Sequence, residues 1–380
     1  MREAFITHHN IISSLGFSSE SNFNRLKSEE SGIRKFKREN GDTYYSSQVD
    51  KKKVNEKFSE IGETENHTTL EKMMILSIHK ILKESGLNIS DKTGLIIATT
   101  KGNIDTLSPN SKFYTDKNRS YLPELGKQIQ KFFNFNNEAI VLSNACVSGV
   151  LAVAVAQRYV MEGLYDDVIV VGGDLVSEFI LSGFTSFQAI SDQPCQPFSK
   201  NRTGITIGEA VASAIVSSKK SANAIQVIGA ASCNDANHIS GPSRTGEGLF
   251  LSVKSALKEA NLKSDEIDYI SAHGTATNFN DEMEAIAFGR LNMLQTPINS
   301  LKGYYGHTLG ASGLLEAIMG IESLQNNTLI TSKGFDELGV SQPISVIEKT
   351  ENKNLKVFLK TASGFGGCNT AVIFRKIPIN

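Results

Sequence analysis

A cysteine and two histidines stand where apolar runs give way to turns rich in glycine and hydroxyl residues. Cys146 lies in the motif SNACVSG, His273 in AHGTATNFND and His307 in KGYYGHTLGASG. Cysteine and histidine together are the residue types of nucleophilic acyl transfer. Because α/β folds build their sites at the ends of strands, we predict that these three side chains form one reactive site.

The surroundings of Cys146 favour a reactive thiol. The short apolar run at 139–142 predicts a buried strand, and the run at 150–156 is apolar on every face, as in a central buried helix. Free N–H groups and the helix dipole would meet at Cys146, so we expect a lowered pKa for its thiol. Ser148 and Gly149 are expected to leave room beside the sulfur. The alternative is a cysteine that only fills space in the core.

The histidines also have simpler readings. Either histidine alone could be a core residue whose hydrogen bonds are made, or a helix-capping residue. The Cys-His-His set could also bind a metal. We expect no metal, because no carboxylate or further cysteine stands at ligand spacing. The adjacent His8 and His9 are expected to be structural, and His238 is a loop residue without an assigned role.

Length and composition exclude several classes of protein. A chain of 380 residues is long enough for two ordinary domains or one large duplicated one. The 39 basic and 40 acidic residues give no basis for nucleic-acid or membrane binding. Four cysteines without a CxxC pair indicate a reducing compartment. No signal peptide is recognisable, and no apolar run approaches the roughly 20 residues of a membrane helix. We therefore predict a cytoplasmic protein.

Strands alternating with helices predict a parallel α/β sheet covered on both faces. Single strands are predicted at residues 4–7, 94–98, 139–142, 167–173, 225–230, 269–272 and 297–300. Helices are predicted at residues 70–82, 150–156, 248–260 and 309–324, and in part of 114–135. Strand pairs are predicted within 204–217 and between 355–360 and 371–374. Residues 18–57 are expected to form a solvated face, and residues 179–199 to be irregular.

The second half of the chain repeats the plan of the first. A strand, a glycine-bearing turn and a buried helix occur once in each half, and a small polar joint lies at 219–224. We predict an N-terminal half, 1–220, that carries the cysteine and a C-terminal half, 221–380, that carries the histidine pair.

Six motifs in order carry a family resemblance: SNACVSG, PFSKNRTGITIGE, DANHIS, AHGTATNFNDEME, SLKGYYGHTLGASG and GFGGCN. The series resembles the β-ketoacyl-acyl carrier protein (ACP) synthases, the decarboxylating condensing enzymes of fatty acid and polyketide synthesis. The resemblance implies an α/β thiolase-like fold in which two duplicated βαβαβαββ halves form a five-layered α-β-α-β-α sandwich. It also implies a decarboxylative Claisen condensation of an acyl chain with malonyl-ACP, giving 3-oxoacyl-ACP.

The resemblance implies the following catalytic roles. Cys146 would accept the acyl chain as a thioester, with His273 and His307 as the two catalytic histidines. Lys302 would be the active-site lysine, and we expect it to pair with Glu284 and so orient the histidines.

Further positions match supporting residues of that family. Asp281 and Glu284 are the acidic residues that follow the first histidine motif. Thr275 and Thr277 would hydrogen-bond the phosphopantetheine arm. Phe365 would act as a gate, and its N–H would share an oxyanion hole with the N–H of Cys146.

The resemblance also implies partners. The substrates would arrive on the phosphopantetheine of ACP, so no cofactor of the protein's own is expected. Carrier proteins are acidic, so basic residues are expected near the mouth of the site, with Lys200 and Arg202 as candidates. A structural role for Arg202 is the alternative. The chain would form a homodimer, or a heterodimer with a ketosynthase-like or chain-length-factor subunit.

Two other functions stay open. The chain could itself be the partner subunit that shapes the pocket of another synthase, although the intact Cys146 argues against this. A cysteine hydrolase would leave Lys302 and the second histidine unexplained. The chain departs from the family pattern in the short stretches 94–141 and 174–199, and at Asp174, where the family often has a small residue.

Overall fold

The computed structural model describes residues 2–38, 41–236 and 241–377. The elements of the N-terminal half are β1 (Ala4–Ser13), α1 (Ser19–Lys27), β2 (Ile33–Lys37), β3 (Thr43–Ser47), α2 (Lys51–Phe58), α3 (Thr69–Ser85), β4 (Thr93–Ala98), α4 (Leu122–Phe133), β5 (Ile140–Leu142), α5 (Ser148–Met161), β6 (Asp167–Asp174), α6 (Glu178–Ser186), β7 (Ile207–Gly208) and β8 (Ala210–Ser217). Those of the C-terminal half are β9 (Ile225–Asn234), α7 (Glu247–Ala260), β10 (Tyr269–Ser271), α8 (Asn278–Arg290), β11 (Ile298–Asn299), α9 (Lys302–Tyr305), α10 (Ser312–Asn326), β12 (Thr328–Leu329), β13 (Glu351–Asn352), β14 (Val357–Gly364) and β15 (Cys368–Lys376).

Ten strands form one sheet in the order β11-β10-β14-β15-β9-β1-β8-β6-β4-β5. Its two halves have the same pairing, with three parallel strands followed by two antiparallel ones towards the centre. They meet where β1 pairs with β9 over three residues. The elements that build this sheet follow the order βαβαβαββ twice, as predicted. The division at residues 220 and 221 stays a prediction.

Helices α5 and α10 pack against each other and contact strands of both halves of the sheet. On β6, Val168 and Val170 face this central core, whereas Ile169 and Val171 face an outer core that includes residues of α3 and α4. On β14, Phe358 faces the central core and Leu359 faces the outer core of α7 and α8. Because alternate strand residues serve different cores, the sheet is buried on both faces. The predicted five-layered α-β-α-β-α arrangement is confirmed.

The prediction of a solvated face for residues 18–57 is wrong. This segment forms α1, β2, β3 and α2, and it buries Phe23, Leu26, Val54 and Phe58. Only two large apolar residues per helix carry the helical spacing, and charged residues outnumber them. The amphipathic pattern is therefore too sparse to be recognised by periodicity alone.

Two further predictions need correction. Residues 179–199 are not all irregular, because α6 covers Glu178–Ser186 with Ser177 as its N-cap. Residues 204–217 do not pair with each other, since β7 pairs with β3 and β8 lies between β1 and β6.

Helix α8 was not predicted, because its buried face carries acids and amides among the apolar residues. Among the described residues, no helix is long and apolar enough to cross a membrane.

Glycines allow α5 and the turn before α10 to approach closely. A Cβ on Gly149 would lie 2.7 Å from the carbonyl oxygen of Gly310 and 2.8 Å from the nitrogen of Leu314. A Cβ on Gly313 would lie 2.7 Å from the nitrogen of Val150. Backbone meets backbone here, so neither side can yield by changing a rotamer.

We expect Gly149→Ala to lower the free energy of unfolding by about 1–3 kcal/mol, because the added methyl group overpacks the helix contact. The measurement is the urea midpoint. Gly183→Ala in α6 is the matched control, since its Cβ would meet nothing within 4 Å. It should leave stability unchanged or raise it by up to about 1 kcal/mol. Equal midpoints for Gly149→Ala and the unsubstituted protein would contradict the close approach.

Candidate active site

The turn that carries Cys146 lies between β5 and α5. Ala145 has a φ of 46°, an unfavourable left-handed conformation for a residue with a Cβ. The Ser148 hydroxyl accepts the Asn144 N–H at 2.8 Å and donates to the Ala145 carbonyl at 2.6 Å. The predicted strand-to-helix turn is therefore present and held in a strained conformation, as nucleophile turns often are.

The roles expected of Ser148 and Gly149 are wrong. Ser148 is fully buried and ties the turn together. Gly149 contacts Gly310 and Leu314 across the helix pair. Neither residue leaves room for a substrate.

Cys146, His273 and His307 meet at one place, although they come from different halves of the chain. Their donor atoms all lie within 4.8 Å of one another. The two imidazole rings are 5.2 Å apart and nearly perpendicular, at 83°. All three residues are buried but line a cavity of about 430 Å³, which Thr275, Thr277 and Phe365 also line.

These three side chains could also supply one sulfur and two nitrogen ligands to a metal ion. The argument from sequence spacing misses this, because the fold brings distant residues together. The ammonium of Lys302 lies 3.4 Å from His273 Nδ1, however, and its charge opposes a cation there. The absence of a metal stays a prediction.

Two acids on α8 hold the backbone that carries His273. Glu284 accepts the N–H groups of His273 and Gly274 at 2.8 and 2.7 Å. Asp281, one turn earlier, accepts the N–H groups of Thr275 and Phe198 at 2.9 and 2.7 Å. Burial raises the pKa of Glu284 to about 7. Asp281 and Glu284 therefore fix the turn after β10 and do not face the cavity.

The predicted pairing of Lys302 with Glu284 is wrong. Lys302 Nζ forms an ion pair with Glu316 Oε1 at 2.7 Å and donates to the His273 carbonyl. Lys360 Nζ lies 2.7 Å from the other oxygen, Glu316 Oε2. Although burial opposes it, the charges of the two lysines lower the pKa of Glu316.

Glu316 and Lys360 were missed from sequence. Each is a charged residue in an otherwise apolar element, α10 and β14, and that is the signal that could have found them. Lys360 Nζ also donates to the carbonyls of Ser271 and Ala272, directly before His273. The cluster of Lys302, Glu316 and Lys360 thus holds the backbone on which His273 stands.

The tautomers of the two histidines follow from their hydrogen bonds. The Lys302 ammonium faces His273 Nδ1, and the Leu309 N–H donates to His307 Nδ1 at 3.3 Å. Both Nδ1 atoms are therefore assigned as acceptors, which places the proton of each ring on Nε2. Among the described residues, His307 Nε2 has no hydrogen-bond partner.

Both histidines are neutral. Burial, with a smaller effect of the Lys302 charge, lowers the pKa of His307 to about 3. The same two causes place the pKa of His273 well below its ordinary value. The rings can therefore donate N–H hydrogen bonds without carrying a charge.

The expected low pKa of the Cys146 thiol is wrong for the free protein. Burial raises the pKa of Cys146 to about 12, and the neighbouring Cys368 adds to the shift. Lys302 and the N–H of Phe365 act in the opposite direction but more weakly. The loss of solvation outweighs these two effects, so the thiolate is disfavoured in the free protein.

Three aromatic rings cover one side of the cavity. Phe365 stacks on Phe184 with ring centres 5.7 Å apart and meets the edge of Phe187 at 5.4 Å. Both partners belong to α6 or follow it directly. The position of Phe365 beside Cys146 fits the expected gate, whose movement stays a prediction.

Other candidate residues lie apart from the reacting groups. Arg202 is buried and donates to the carbonyls of Ser199 and Gly339, so its role is structural. Lys200 forms an exposed ion pair with Glu337. His9 is half-buried beside Ser19, and desolvation lowers its pKa to about 4, which fits the expected structural role. His238 lies outside the described residues.

Fold and site together indicate an acyltransferase of the condensing type. The chain belongs to the β-ketoacyl synthase family: the model of the N-terminal domain matches residues 5–222, and that of the C-terminal domain matches residues 224–336.

Relatives and solved structures agree with this assignment. The chain is 32% identical to 3-oxoacyl-[acyl-carrier-protein] synthase 2 of Rhizobium meliloti over 63% of its length and 61% of the relative's. It is 25% identical to the Vibrio harveyi protein of the same name, over 78% and 79% of the two chains. It superposes with a TM-score of 0.88, at 24% identity, on a structure of a ketosynthase in complex with its chain length factor from Xenorhabdus doucetiae, covering 99% of this chain and 98% of that one. The predicted thiolase-like fold is confirmed.

The raised pKa of Cys146 predicts how its alkylation depends on pH. Because the thiolate is the reactive form, the rate with iodoacetamide should rise by about tenfold per pH unit from 7 to 10 without a plateau. Peptide-resolved mass spectrometry follows Cys146, with Cys233 as an internal reference for the reagent. A plateau near neutral pH would show that the helix field outweighs burial.

Proposed function

We propose that the protein is a β-ketoacyl-ACP synthase that loads an acyl chain on Cys146 and condenses it with malonyl-ACP. The observation that carries the proposal is the convergence of one thiol and two neutral imidazoles in a buried cavity. A nucleophile and two N–H donors are the groups that the two half-reactions require.

The first half-reaction transfers the acyl group. The Cys146 sulfur attacks the thioester carbonyl of acyl-ACP, the bond to the pantetheine sulfur breaks, and the cysteine proton ends on the departing thiol. Charge develops on the carbonyl oxygen, and the N–H groups of Cys146 and Phe365 would meet it. Losing one such donor typically costs about 3 kcal/mol of transition-state stabilisation.

The second half-reaction is the condensation. Malonyl-ACP loses carbon dioxide, and the electron pair of the broken bond forms an enolate whose oxygen would accept from Nε2–H of His273 and of His307. The enolate carbon attacks the acyl thioester on Cys146. The cysteine leaves and takes up one proton, so the products are 3-oxoacyl-ACP, carbon dioxide and the free thiol.

The substrate arm would enter along the cavity wall. The hydroxyls of Thr275 and Thr277 lie 3.0 Å apart and line the cavity, within reach of the amides of a phosphopantetheine chain. The proposal includes no cofactor held by the protein itself. The four cysteines are free, which supports a reducing, cytoplasmic location.

A second subunit is part of the proposal. Strand β5 ends the ten-stranded sheet, is only half-buried and has no strand on its outer side among the described residues. An open sheet edge is a surface that another chain can extend. The solved ketosynthase with its chain length factor supports a heterodimer, and a homodimer is the other form proposed.

The second candidate function is a partner subunit that shapes the pocket of another synthase. The similarity to a chain of the ketosynthase–chain length factor complex supports it, because that complex contains a subunit of each kind. The complete Cys146, His273 and His307 set favours the condensing role.

Incubation with acyl-ACP should add one acyl group to Cys146, detected by peptide mass spectrometry. Cys146→Ala should abolish the adduct, and Cys233→Ala should keep it, because Cys233 lies outside the cavity. An adduct on another residue, or none, would contradict the proposal.

Addition of malonyl-ACP to the acylated protein should then release carbon dioxide and 3-oxoacyl-ACP. Product formation by the purified chain alone would exclude the role of a non-condensing partner. If the protein is acylated but does not condense, and no second subunit restores condensation, the proposed synthase function is excluded.

A further inference from the structure

Asp174 is a fully buried carboxylate at the end of β6, and no ion pair neutralises it among the described residues. Its Oδ1 accepts the Thr99 hydroxyl at 2.8 Å and the Lys101 N–H at 3.1 Å. Its Oδ2 accepts the N–H groups of Thr100 and Gly310 at 2.9 and 2.7 Å. A buried carboxylate held by so many donors joins the segments that supply them.

Two of those segments come from opposite halves of the chain. Thr99, Thr100 and Lys101 follow β4 in the N-terminal half, whereas Gly310 lies three residues after His307. Gly310 is packed tightly, since a Cβ there would lie 2.6 Å from Asp174 Oδ2 and 2.8 Å from the Thr99 Cα. Asp174 therefore fixes the position of the His307 turn relative to the ends of β4 and β6.

The link from Gly310 to the imidazole runs through Leu309. This residue has a φ of 54°, which is strained for a leucine and needs external support. Its N–H donates to His307 Nδ1 and so decides which ring nitrogen carries the proton. The next N–H along the chain, that of Gly310, is the one that Asp174 accepts.

We propose that Asp174 is a positioning residue, which holds Leu309 in its strained conformation and thereby keeps His307 in the Nε2–H tautomer facing the cavity. The position is one of the departures from the family pattern noted in the sequence. The inference rests on the proposed condensation for its effect on rate, but not for its effect on the tautomer.

Asp174→Ala removes every acceptor, whereas Asp174→Asn leaves at least one N–H unpaired in either orientation of the amide. We expect decarboxylation of malonyl-ACP by the acylated protein to fall by about 100-fold in Asp174→Ala, as for a misplaced catalytic group, and by less in Asp174→Asn. The rate of Cys146 acylation should stay within about threefold, because that step uses the other donors. A purely structural role would slow both half-reactions together.

The tautomer is read independently of turnover. In protein labelled with ¹⁵N-histidine, long-range correlations should show His307 protonated on Nε2, and in Asp174→Ala both tautomers should be populated. If the unsubstituted protein does not condense but this change is seen, the proposed function fails and the positioning role stands. If His307 keeps one tautomer and the two half-reactions keep their ratio, the positioning role is overturned.

Asp268→Asn is the matched control. Asp268 also accepts two backbone N–H groups, from Lys356 and Val357, but it lies before β10, at the strand end opposite His273. The Asp268→Asn variant should leave the ratio of the two half-reaction rates and the His307 tautomer unchanged, even if the variant is less stable. An equal change of the ratio in Asp268→Asn would assign the effect to general loosening of the sheet and overturn the proposal.

Discussion

The site depends on the close contact between the two central helices. Gly149 at the start of α5 meets the carbonyl of Gly310, and Gly313 in α10 meets the backbone of Val150. These contacts set the distance between the turn of Cys146 and the turn of His307, which belong to different halves of the chain. Each half alone would expose one face of its central helix and would carry only part of the reacting set. Burial of the helix pair and assembly of the site are therefore one event, because the same backbone contact produces both.

That contact also decides the protonation states. Cys146, His273 and His307 are buried, so a thiolate or an imidazolium there would lose more solvation than the neighbouring groups restore. The charged groups next to the histidines form a paired cluster, in which Glu316 lies between Lys302 and Lys360. The cluster leaves one positive charge more than negative charge below the histidines. That excess disfavours protonated imidazoles and favours an enolate oxygen, so one arrangement serves both the resting state and the reaction.

The sequence predicted residue types better than it predicted pairing and energies. Cys146, His273 and His307 could be found because each stands in a turn between apolar runs, and strand order then brings strand ends together. The partner of Lys302 could not be found, because Glu316 is separated from it by a whole turn and part of a helix, and only the packed helix selects it over Glu284. The predicted direction of the Cys146 pKa shift was also wrong, because burial depends on the tertiary structure whereas the start of a helix can be read from local sequence. The order of the layers could be predicted from the periodicity of apolar residues. Residues 18–57 carry too few apolar residues for their helices to be recognised in this way.

The Nε2–H of His307, which has no hydrogen-bond partner in the described part of the chain, favours a preformed site over a pocket that only shapes another subunit's cavity. The strained Leu309 and its hydrogen bond to Nδ1 exclude the other tautomer and keep the Nε2–H at the wall of the cavity. A partner subunit without chemistry of its own has no use for an N–H held in this way. A condensing site does have a use for it, because the N–H gains its acceptor only when an oxygen of the substrate becomes negative. In the proposed condensation this hydrogen bond would form in the transition state, which is where it would accelerate the reaction.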